Sequence, residues 1–87
     1  MATSIADVAA EYIRAHRVDR QSLQIRSDGL VELTVIQNLW ADRSGRPRLG
    51  IDEAPVTVMR AIENSQRGHV LFDRVRESPG LVAYGLR

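Results

Sequence analysis

The sequence predicts an α+β fold: two layers, with an antiparallel sheet and two helices on one face, in the order helix, hairpin, loop, helix, hairpin. Three observations carry that expectation. An apolar stripe at helical spacing opens the chain, two alternating runs flank Asp28-Gly29, and a second helical pattern leads into a hairpin at Ser78-Pro79-Gly80. The 87 residues are expected to form a single small globular domain over 1–87, of a size at which only about 60–65% of the unfolded surface can be buried.

The first helix, over residues 4–17, follows from Ile5, Val8, Ala9, Tyr12 and Ile13, which fall at i, i+3, i+4, i+7 and i+8. Thr3 or Ser4 supplies a cap, and Asp7 suits the positive end of the helix dipole. In SLQIRSDGLVELTVIQ, Leu23 and Ile25 alternate with polar residues, as do Val31, Leu33 and Val35 with Glu32 and Thr34. Asp-Gly between alternating runs is a strong hairpin signal, because Gly takes positive φ without steric cost.

The loop WADRSGRPRLG follows, with turn chemistry at Asp42 to Gly45 and with Pro47 allowing at most an edge strand. Asp52 then opens a second helix. Pro55 is tolerated in its first turn, Val58, Met59 and Ile62 form its buried stripe, and Gly68 ends it. The tail reads as a hairpin whose second arm alternates Val82, Tyr84 and Leu86 with smaller residues. Each half thus runs helix then hairpin, a loose echo of duplication.

Composition excludes several classes of function. An apolar fraction of 44% and a charged fraction of 26% are those of an ordinary globular protein. All 12 basic residues are Arg, as a coding bias toward G and C would produce, and 11 carboxylates leave a net charge of +1. That near-neutrality argues against coating nucleic acid by bulk charge, while leaving room for a local patch. There is no Cys, hence no disulfide framework and no thiol nucleophile. No run approaches the roughly 18 to 20 apolar residues of a membrane span, and the start, carrying Asp7 and Glu11, is unlike a signal peptide. A cytoplasmic location is the default expectation.

Two basic groups invite a nucleic-acid reading. Gly45-Arg46-Pro47-Arg48 resembles the AT-hook, a minor-groove element built on Arg-Gly-Arg-Pro, with Ser44 in place of the leading Arg. The resemblance implies groove or phosphate contacts by Arg43, Arg46 and Arg48. Arg67, His69, Arg74 and Arg76, with Arg60 on the preceding helix, resemble the last helix and wing of a winged-helix protein, diluted by Asp73 and Glu77. Catalytic chemistry finds no footing. His16 near Asp19 and His69 near Asp73 do not make a metal or nucleophilic site, and there is no phosphate loop or nucleophile elbow. Neither a cofactor nor a metal is expected.

The sheet face opposite the helices is expected to carry Leu30, Ile36 and Trp40 among Glu32, Thr34 and Asn38, an apolar surface with a polar rim. The leading expectation is a small non-catalytic interaction protein. It would be an inhibitor, adaptor or regulator of the kind phages and mobile elements encode, binding a protein partner or a second copy of itself through Ile36, Trp40, Arg43, Arg46 and Arg48. The alternative is a nucleic-acid-binding regulator using Arg43, Arg46, Arg48, Arg74 and Arg76.

Overall fold

A computed structural model describes residues 3–16, 22–25 and 30–87 of the chain. In order they form α1 (Ile5–His16), β1 (Ser22–Ile25), α2 (Leu30–Ser44), α3 (Ala54–Asn64), α4 (Gln66–Leu71), β2 (Phe72–Ser78) and β3 (Leu81–Leu86). The class is α+β, and the strands form one antiparallel sheet in the order β1-β3-β2. Leu23, Phe72 and Tyr84 on one sheet face join Val8, Ile13, Leu33, Ile36, Val58 and Ile62 of the helices in the core. The helices therefore lie on one face of the sheet, as expected. Among the described residues no helix is long and apolar enough to cross a membrane.

The first helix forms as its stripe dictates, burying Val8, Ala9 and Ile13. Ser4 caps it reciprocally: its Oγ accepts the Asp7 amide at 3.1 Å, and its hydroxyl donates to Asp7 Oδ2 at 2.6 Å. The second expected helix divides in two. α3 starts at Ala54, with Glu53 rather than Asp52 at the cap position and no side-chain cap bond, and with Pro55 in the first turn where its missing N–H costs nothing. Ser65 then ends α3 and caps α4, its Oγ accepting the Gly68 amide at 2.8 Å. Gly68 lies inside α4 instead of terminating a helix, because a Cβ there would meet the Ile62 carbonyl oxygen at 2.2 Å. The bare backbone lets α4 turn tightly against the end of α3.

The strand expected over Val31, Leu33 and Val35 is a helix, and with it falls the echo between the two halves. Leu33, Ile36, Gln37 and Ala41 are buried and Trp40 is partly buried, a spacing of i, i+3, i+4, i+7 and i+8. Length decides the competition: alternation spans only residues 31 to 35, whereas the helical stripe runs from Leu33 to Ala41 within a helix of 15 residues. The expected Asp28-Gly29 turn lies outside the described residues. Gln37, the polar member of the stripe, is satisfied because its Oε1 accepts the Leu49 amide at 3.0 Å.

The C-terminal hairpin forms where expected, turning at Gly80 with φ of 76°. A bulge between Arg74 and Arg76 sets Val75 over Gly85, whose hypothetical Cβ would lie 3.0 Å from Val75 Cγ1. Among the described side chains, the central strand presents Ala83 and Gly85 on the helix-free face, both buried, beside the exposed Val75.

Candidate interaction surface

The loop after α2 owes its shape to a helix stop. Gly45 adopts φ of 66°, and the Arg46 amide bonds the Ala41 carbonyl at 2.9 Å, the six-to-one closure of a Schellman motif. That turn lays the Arg46 guanidinium over the Trp40 ring, 5.7 Å from its centroid. Pro47 follows, where a helix cannot continue. Arg48 then folds back as a two-pronged clamp on Asp42, Nε to Oδ1 at 2.9 Å and Nη2 to Oδ2 at 2.6 Å. The Arg48 guanidinium holds the Asp42 carboxyl below its ordinary value of 3.8. Arg43 bonds Glu11 of α1 at 2.6 Å. Each arginine of the AT-hook-like stretch is thus engaged within the chain.

Trp40 and Ile36 do not share an open sheet face. Ile36 has 0% of its surface exposed and sits in the core. Trp40 turns inward and donates its Nε1–H to the Thr3 carbonyl at 2.9 Å, pinning the start of α1. Both residues belong to the inner stripe of α2, so the alternation that assigned them to a sheet surface placed them on the wrong side of the wrong element.

The same helix carries a second apolar row, in which Val31 and Val35, expected with Leu33 on the helix-covered face of a strand, are joined by Leu39. Val31, Val35 and Leu39 are 64%, 38% and 38% exposed. Their i, i+4, i+8 spacing makes a single ridge along the outside of α2. Thr34, Asn38 and Asp42 form the adjoining polar row, and Glu32 and Arg43 lie on the other flank. The signal was present in the sequence as apolar residues at two helical phases.

Of the C-terminal basic group, His69 and Arg74 line a shallow cleft of about 200 Å³ between α3, α4 and the hairpin, joined there by Arg87, while Arg67 bonds Asp7 of α1. Arg74 donates to Glu63 at 2.9 Å, to the Tyr84 hydroxyl at 3.2 Å and to Glu77 at 3.3 Å, and lies over the Tyr84 ring. Burial pushes the Tyr84 hydroxyl above its ordinary value of 10.0, with the Arg74 hydrogen bond opposing. Arg87 bonds Asp73 and the carbonyls of His69 and Phe72. These groups satisfy one another across element boundaries. Arg76 and Arg60, by contrast, are exposed and make no ion pair among the described residues.

The histidines are apart. His16 stacks on Tyr12 with ring centroids 4.3 Å apart, and its Nδ1 lies 3.0 Å from the Tyr12 carbonyl oxygen. No group of three or more metal-ligating side chains occurs among the described residues. Compared with protein-family models, curated proteins and solved structures, the chain matches none.

Proposed function

We propose that this chain is a small non-catalytic interaction protein, an inhibitor, adaptor or regulator, that engages a protein partner through the outer face of α2. The observation that carries the reading is the exposed ridge of Val31, Val35 and Leu39 on a helix whose opposite stripe already fills the core. Among the described residues, the core is filled from the other side of α2, and burying the ridge elsewhere recovers about 25 cal/mol per Å² removed from water. The non-catalytic part of the reading is supported by the cleft at Tyr84, where the polar side chains bond one another.

The nucleic-acid alternative draws less support. Its five arginines include three held by carboxylates, Arg43 by Glu11, Arg48 by Asp42 and Arg74 by Glu63 and Glu77. Changing Arg43, Arg46 and Arg48 together to Ala is expected to leave the weak affinity for random duplex unchanged across a salt titration. A steep log-linear salt dependence that the triple change abolishes would restore the alternative.

A photo-crosslinking side chain at Val35, with one at Arg60 as control, tests the α2 surface in cells expressing the chain. The expected result is a protein adduct at position 35 that is absent at position 60 and lost on Leu39→Glu. Equal adduct yields at both positions, or none at position 35, would overturn the reading.

A further inference from the structure

We propose that the partner of the α2 ridge is a second copy of this chain, the two α2 helices packing antiparallel about a two-fold axis; this rests on the reading of α2 as an interaction surface. A row at i, i+4, i+8 is the element that interdigitates with its like when two helices pack ridge into groove. A two-fold axis requires one surface to complement itself, and the charges along α2 do so. Its start carries Glu32, and its end carries Arg43 followed by Arg46 and Arg48, against Asp42 and the neighbouring Glu11.

The register follows from the helix rise. With the axis level with Gln37, Val35 of each copy faces Leu39 of the other. Glu32 and Arg43 lie about 7.5 and 9 Å from that level at 1.5 Å per residue, so the acidic start of each helix meets the basic end of its partner twice. Neither Glu32 nor Arg43 need release a partner within its own chain to do this, because a carboxylate accepts several hydrogen bonds and a guanidinium has five N–H donors. Val31 packs on the aliphatic stem of the opposing Arg43, and the two helix dipoles run antiparallel.

The outer edge of β2, unpaired among the described residues, is built against self-association. Two copies paired antiparallel about Val75 would set Asp73 against Glu77 and Arg74 against Arg76, like charge against like, on a strand already bent by a bulge. A ridge of three residues gives a small interface, so the dimer dissociates on dilution.

Sedimentation equilibrium from micromolar to millimolar protein is the test. The wild-type mass is expected to rise from the monomer's 9.7 kDa toward twice that value, and Val35→Glu with Leu39→Glu to hold it at the monomer with unchanged circular dichroism. Glu32→Arg, which leaves the ridge intact, is expected to weaken the dimer about threefold at low salt. A wild-type monomer at every concentration, or a dimer indifferent to both variants, overturns self-pairing. If the chain is monomeric while the Val35 crosslinker captures a different protein, self-pairing fails and the interaction surface stands. If neither dimer nor adduct forms, both fail.

Discussion

Asp7 ties α4 to the start of α1. Its carboxylate accepts the Ser4 hydroxyl at the start of α1 and the Arg67 Nε of α4 at 2.9 Å. Chiefly through Ser4, and then Arg67, its pKa falls below the ordinary 3.8. Folding therefore favours the deprotonated form: the contribution is complete above the unfolded value and is lost as pH falls through 3.8 toward the folded value. Asp7→Asn is expected to lower stability at neutral pH and to flatten the acid limb of a urea-midpoint-versus-pH curve; an unchanged limb would remove Asp7 from its cause. Gly68 is a purely steric case. Its replacement by Ala forces a methyl against the Ile62 carbonyl, and a loss of about 2–3 kcal/mol is expected in urea denaturation.

At the scale of the element, α2 is where reading and structure part. α1 was legible because Ile5, Val8, Ala9, Tyr12 and Ile13 are its main apolar residues and define one phase. The C-terminal hairpin was legible because Pro79-Gly80 punctuates it and Gly80 adopts the positive φ the turn needs. In α2, Leu33, Ile36 and Trp40 occupy one phase while Val31, Val35 and Leu39 occupy another, and polar Gln37 interrupts the inner stripe. Superposed, the two phases mimic strand alternation over residues 31 to 35. The internal engagement of the arginines was equally hidden, since Arg43 meets Glu11 across 32 residues of sequence. The two-phase pattern gives a sharp contrast between neighbours: Ile36→Glu is expected to unfold the chain by burying a carboxylate, whereas Val35→Glu is expected to change stability by no more than about 0.5 kcal/mol. Gly45→Ala should cost about 1 kcal/mol in the same denaturation assay, because its φ of 66° is strained for a residue with a Cβ.

Across the whole molecule, the arginines act as ties between elements: Arg67 joins α4 to α1, Arg43 joins α2 to α1, Arg74 joins β2 to α3, and Arg48 closes the loop onto α2. Exposed pairs of this kind are screened by solvent, so they fix geometry more than they supply stability. With Arg43, Arg48 and Arg74 held by carboxylates, the outer ridge of α2, where Val31, Val35 and Leu39 stand in one row, is the apolar surface we propose for a partner.

Methyl NMR with a soluble paramagnetic probe, recorded at low and high protein concentration, tests that central claim most directly. At low concentration the Val31, Val35 and Leu39 methyls are expected to broaden strongly while those of Leu33 and Ile36 stay sharp, and at high concentration the outer three should become shielded as copies pair. Broadened Leu33 and Ile36 methyls beside protected Val35 at low concentration would contradict the two-faced helix on which the functional reading stands.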